Sequence, residues 1–79
     1  MNFGERMKFA RGKIGITQEE LAKRSKIQPA QISKFESGTI EPSLHNFKKI
    51  ALGLRVSTDF LLGINIADLY EEAHSESTL

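Results

Sequence analysis

Apolar residues along most of this chain recur at intervals of three and four, the period of a helix face, and the runs break at glycine and proline. The pattern predicts an all-α protein of five helices. Helix 1 runs from about Phe3 to Lys13 and buries Phe3, Met7, Ala10 and Ile14; Gly12 weakens its end and Gly15 stops it. Helix 2 is capped by Thr17, with Glu20 three residues on completing a capping-box pattern, and its apolar positions are Leu21 and Ala22. Ser25-Lys26-Ile27 leaves room only for a tight turn. Helix 3 follows Gln28 with Pro29 at its first position, where a missing N–H costs nothing; Ile32 and Phe35 form its stripe and Gly38 ends it. After a loop from Ser37 to Pro42, Ser43 caps helix 4, where Leu44, Phe47, Ile50, Ala51 and Leu54 trace one face. Ser57 or Thr58 caps a short helix 5 that carries Phe60, Leu61 and Leu62 and ends at Gly63. Beyond it, Ile64, Ile66 and Leu69 admit a further helical turn capped by Asn65, before a polar HSESTL end expected to fray. The predicted core is Phe3, Met7, Ala10, Ile16, Leu21, Ala22, Ile27, Ile32, Phe35, Leu44, Phe47, Ile50, Leu54, Val56 and Leu61.

Composition narrows the picture. The 79 residues suit one domain with a modest core, and the absence of cysteine leaves packing alone to hold it. The net charge of +1 conceals an asymmetry. Residues 1–63 hold eleven Lys/Arg against six Asp/Glu, a balance of +5, whereas residues 64–79 hold no Lys/Arg and four Asp/Glu, a balance of −4. A basic domain with an acidic tail is compatible with a polyanionic partner, although lysine and arginine are also ordinary solvated surface. No apolar run approaches a membrane span and the N-terminus lacks a signal peptide's apolar stretch, so no membrane role and a cytoplasmic location are expected. No spacing suggests a nucleophile with a base and an orienting group, and no enzyme activity, cofactor or metal is expected. His45 and His74 are far apart, and Glu71 with His74 makes a poor metal site.

Helices 2 and 3 are too short to stand alone and must pack on each other and on their neighbours. That leaves helix 3 with a free polar face carrying Gln28, Gln31 and Lys34. Side chains of this kind read base edges and phosphates, and they are equally common on a plain solvated face.

Residues 17–38, TQEELAKRSKIQPAQISKFESG, resemble the helix-turn-helix of the phage repressor/Cro-like, or lambda-repressor-like, family of bacterial DNA-binding domains. Thr17-Gln18, Leu21-Ala22, Ile32-Ser33 and Glu36 two residues before Gly38 carry the match. So do Arg11 seven residues before Gln18, Pro42-Ser43-Leu44, and Val56-Ser57 with Asp59 and Leu61-Leu62-Gly63. The resemblance covers residues 3–63. It implies a compact five-helix bundle over residues 1–63, with residues 64–79 as an acidic tail, and a recognition helix, 29–36, in the major groove. Base contacts would fall to Gln28, Pro29, Ala30, Gln31 and Lys34. Gln31 suits adenine N6/N7, Lys34 guanine O6/N7 and Ala30 a thymine methyl. Phosphate contacts would come from the starts of helices 2 and 4, through Thr17, Gln18, Ser43, Leu44 and Asn46, with Lys26 and Thr39 adding to them and His45 and Lys48 as weaker candidates. Plain capping explains the same starts without DNA. Arg11 and Glu36 would form a partly buried ion pair tying helix 1 to the end of helix 3.

The sequence departs from the family in places. Lys26 stands where the family usually has glycine, at a position that tends to need positive φ, a cost of about 1 kcal/mol for a side chain. Arg55 likewise replaces a common glycine after helix 4, and Gly53 lies inside that helix. Ile40 and Glu41 replace basic loop residues and predict fewer phosphate contacts. Phe9, Ile14 and Leu52 stand where polar residues are usual; they mark an interface, a rotated helix or a surface covered by the tail.

The function implied is a sequence-specific, double-stranded DNA-binding transcriptional regulator, a repressor acting on its own or a neighbouring promoter. It would bind as a homodimer through Leu52, Phe60, Leu61, Ile64 and Ile66. A prophage repressor, a restriction-modification controller and a DNA-binding antitoxin fit equally, with a toxin or anti-repressor protein as further partner. The alternative from another class is a protein-interaction module that keeps the fold without the DNA role.

Overall fold

The computed structural model describes residues 1–63, and these form five α-helices in the order α1 (Phe3–Ile14), α2 (Gln18–Ser25), α3 (Pro29–Ser37), α4 (Leu44–Leu54) and α5 (Thr58–Leu62). Each start has a local cause. Thr17, Ser43 and Ser57 accept through their hydroxyls from the backbone N–H groups of Glu20, Asn46 and Phe60 at 3.0, 3.2 and 3.1 Å. The predicted capping box on α2 is only half formed, because the Glu20 carboxylate lies 3.5 Å from Arg24, one turn along the helix. The complete box is on α1, where the Asn2 side chain accepts from Glu5 N–H at 2.9 Å and Glu5 accepts from Asn2 N–H at 3.0 Å.

The helix ends follow one scheme. α1 to α4 each finish on a left-handed residue, and the residue after it donates back to a carbonyl of the last turn: Ile16 to Arg11, Ile27 to Ala22, Thr39 to Lys34 and Val56 to Ala51. Glycine takes the left-handed position after α1 and α3. After α2 and α4 it falls to Lys26 (φ 56°) and Arg55 (φ 57°), each at a cost of about 1 kcal/mol or more.

α2 packs on α3 and α4, and α1 lies across α3, α4 and α5. Met7, Leu21, Ile32, Ile50, Leu54 and Leu61 are fully buried at the centre, and each such side chain contributes about 1.5–3 kcal/mol by leaving water. Ala10, Ala22, Ile27, Phe35, Phe47 and Ala51 complete this core, with Phe3, Ile16, Val56 and Phe60 packed against it. Phe3 stacks on Phe47 with ring centroids 5.5 Å apart. One predicted core residue, Leu44, lies outside it, and so does Ile14, which the spacing placed on the buried stripe of helix 1. Leu44 is 70% exposed, because the first position of α4 projects past the end of the bundle, and Ile14 is 42% exposed at the last turn of α1. Phe9 (46%) and Leu52 (79%) are also on the surface. No helix among the described residues is long and apolar enough to cross a membrane.

Candidate nucleic-acid interface

α3 is divided along its length. Its C-terminal half is anchored through Glu36, whose side chain is only 4% exposed. Arg11 reaches it from α1 in a two-pronged pair, Nε donating to Oε2 at 2.7 Å and Nη2 to Oε1 at 3.1 Å. Arg11 Nη1 donates to the Ile16 carbonyl at 2.9 Å, so the guanidinium also fastens the loop after α1. The hydrogen bonds to Glu36 raise the Arg11 pKa from its ordinary value and outweigh the opposing effect of burial. Gln18, from the first position of α2, donates its Nε2 to the same carboxylate at 3.1 Å. Gly4 lies directly on the α3 backbone here. A Cβ at Gly4 would collide with the Glu36 carbonyl oxygen and stand 2.7 Å from that of Phe35.

The start and the polar face of α3 are free, with Ile32 turned into the core. Gln28, Pro29, Ala30, Gln31 and Lys34 are all exposed, and Gln28 makes no side-chain cap. Gln28, Pro29 and Gln31 form one wall of a groove whose other walls come from α2 and α4. Lys23 and Glu19 line it from α2, Lys26 and Ile27 from the turn, and Asn46 and Lys49 from α4. Three lysines against one glutamate give the groove a positive balance. At the mouth of α2, the backbone N–H groups of Glu20 and Leu21 are taken by Thr17; at α4, those of Asn46 and Phe47 are taken by Ser43. The N–H groups of Gln18 and Glu19, and of Leu44 and His45, have no acceptor among the described residues. Two helix starts therefore offer anion-binding donors, and Glu19 and Asn46 of the same first turns line the groove.

The structure thus gathers Gln28, Pro29, Gln31, Lys26 and Asn46 around one groove. Ala30 and Lys34 are exposed on the same helix but not on the groove wall, and Thr17, Ser43 and Leu44 mark the flanking helix starts. Thr39 is exposed in the loop after α3, with its hydroxyl 2.8 Å from that of Ser37, and Lys48 is exposed on α4. Lys23 and Lys49 line the groove although the sequence reading did not single them out. No single stretch of sequence marks them, because the groove forms only where α2, the turn after it and α4 converge.

Of the predicted subunit interface, Leu52 is exposed and Phe60 half-buried. Leu61 is a correction: it is fully buried because it closes the core, and it offers no surface to a second chain. Ile64 and Ile66 lie outside the described residues. Phe9, Ile14 and Phe60, with Ala10, Lys13 and Val56, form a separate apolar depression between α1 and α5. The Phe9 and Phe60 rings are 6.3 Å apart there, and Lys13 Nζ sits 5.4 Å from the Phe9 ring centroid.

Comparison with known proteins places this geometry. The Helix-turn-helix family matches residues 7–61. The chain is 38% identical over 63 residues to the HTH-type transcriptional regulator ImmR of Bacillus subtilis (strain 168), covering 80% of this chain and 50% of that protein. It is 42% identical over 60 residues to the SPbeta prophage-derived uncharacterized HTH-type transcriptional regulator YonR of the same strain, covering 76% of this chain and 56% of that one. The chain spans about half the length of the curated relatives it matches. Among solved structures, the P22 c2 repressor protein in complex with a synthetic operator superposes with a TM-score of 0.74 at 32% identity, over 78% of this chain and 94% of that one.

Proposed function

The chain belongs to the helix-turn-helix family, and from that premise we propose that residues 1–63 bind double-stranded DNA and act as a transcriptional repressor at their own or a neighbouring promoter. In this reading α3 lies in the major groove. Gln28, Pro29, Ala30, Gln31 and Lys34 meet base edges, with Gln31 on adenine and Lys34 on guanine. Thr17, Gln18, Ser43, Leu44 and Asn46 hold the phosphates on either side, the main donors being the N–H groups of the two helix starts and the Gln18 amide. Lys26 and Thr39 add contacts to the same backbone. One observation carries the reading above the others: the exposed, uncapped start of α3 shares a lysine-rich groove with α2 and α4. Nothing in this reading calls for catalysis, and its place of action is the bacterial cytoplasm.

Leu52 and Phe60 are the described residues that suit a second copy of the chain, so that two recognition helices read a pseudo-palindrome one helical turn apart. A toxin or anti-repressor protein is the further partner that fits such a regulator. A second reading, a protein-interaction module on the same fold, is favoured by the apolar depression around Phe9, Ile14 and Phe60.

Footprinting on the DNA upstream of the gene, with random DNA as competitor, separates the two. A protected pseudo-palindrome whose affinity falls linearly with the logarithm of salt supports the repressor. No footprint and no salt slope would move the function to the apolar depression.

A further inference from the structure

The Glu36 carboxylate is shared. Arg11 approaches it with two N–H groups, which already satisfies the charge, yet Gln18 donates to it as well. The ion pair would hold α1 to α3 without the third bond, so the consequence of that bond lies with Gln18. A glutamine side chain at the start of a helix has three rotatable torsions and normally samples many rotamers, at a cost of about 1.5–2 kcal/mol to fix. Here a buried carboxylate accepts from its Nε2. That acceptor admits only the N–H end of the amide, so nitrogen and oxygen are not interchangeable, and the second Nε2–H is directed away from Glu36. Gln18 is half-buried, which leaves that outer edge of the amide accessible.

We propose that Glu36 is a positioning residue for DNA binding: through its buried carboxylate it fixes the Gln18 amide so that the remaining N–H is pre-aimed at a DNA phosphate. This rests on the reading that the start of α2 faces the DNA backbone. The same carboxylate then links the α1–α3 joint to the phosphate clamp, although Glu36 itself touches no DNA.

The test is a double-mutant cycle on the whole chain, read as affinity for a mixed-sequence duplex at low salt, because a phosphate contact carries no sequence information. The background is Arg11→Met/Glu36→Leu, which replaces the pair by apolar side chains of similar size and keeps the joint packed. Glu36→Gln, with its volume unchanged, is a second background. In the natural chain Gln18→Ala weakens binding about tenfold, the size of one hydrogen bond to a charged oxygen. In the apolar background the same change costs less than about twofold.

Nuclear magnetic resonance of the free protein gives a readout that mere stability would not move. The two Gln18 Nε2 protons are widely split in the natural chain and collapse to the positions of a free glutamine in the apolar background. An equal loss of affinity in both backgrounds, or Gln18 protons that ignore the Glu36 substitution, overturns the proposal. If the natural chain binds no duplex, the DNA reading fails and this inference with it. That outcome is distinct from binding in which Gln18 acts independently of Glu36.

Discussion

The two ends of α3 are built to opposite rules. At its C-terminal end Phe35 is buried, Glu36 is held by Arg11 and Gln18, and the backbone is pressed against Gly4 with no room for a methyl group. At its N-terminal end Gln28, Pro29, Ala30 and Gln31 are exposed, and Gln28 makes no capping bond. One end spends its polar groups on the protein and the other keeps them for a ligand. Stability rests on one end of this nine-residue helix and base reading on the other, with Glu36 reaching the DNA backbone only through Gln18, so substitutions at the two ends should move different observables.

The largest effect is expected from breaking the locked end. Arg11→Ala leaves the Glu36 carboxylate buried with only Gln18 as partner and lowers stability by about 3–5 kcal/mol, measured by urea denaturation. An unchanged midpoint would mean the pair contributes nothing. Gly4→Ala comes next. Its methyl group meets backbone oxygens, which cannot rotate away, so α1 and α3 must separate at a cost of about 2–3 kcal/mol. Thermal unfolding would check this, and a melting temperature within error of the natural chain would show that the joint gives way easily. The free end behaves in the opposite manner. Gln31→Ala leaves the melting temperature unchanged and weakens binding to the footprinted site by about 1–3 kcal/mol, while binding to random DNA is barely altered. Equal losses on both DNAs would remove Gln31 from base reading. The smallest effect lies between the two helices of the motif. Lys26→Gly relieves a left-handed side chain and stabilises the chain by up to about 1 kcal/mol; a destabilised variant would contradict the strain assigned to this turn.

The helices were legible in the sequence because local signals agree with one another there. Thr17, Ser43 and Ser57 cap where a hydroxyl precedes an apolar stripe, and Gly15, Gly38 and Gly63 end helices where glycine follows one. The left-handed backbone at Lys26 and Arg55 is a different matter: nothing in either side chain announces it, and only the resemblance, which puts glycine at both places, suggested it. The Asn2–Glu5 box has a local signal as well, an Asn three residues before a Glu at the head of an apolar stripe. Gly4 carried no local signal at all, since its role exists only once α1 meets α3. Leu44 fits the periodic face of α4 but sits one turn too early for the core to reach it, and Ile14 fails likewise at the far end of α1. Periodicity gives the direction of a side chain around its helix and is silent on whether a neighbour extends that far along the axis. For the site, the residue types on α3 were readable. The groove that joins them to Lys23 and Lys49 depends on how three helices converge, and no single stretch of sequence encodes that.

The separation of the two ends is tested most directly by titrating the isotopically labelled chain with the footprinted duplex and following each backbone amide. The account predicts that shifts concentrate at Gln18–Glu19, Gln28–Gln31 and Leu44–Asn46 and spare the residues around Phe9, Ile14 and Phe60. Shifts centred on that apolar depression, or none along the start of α3, would contradict it.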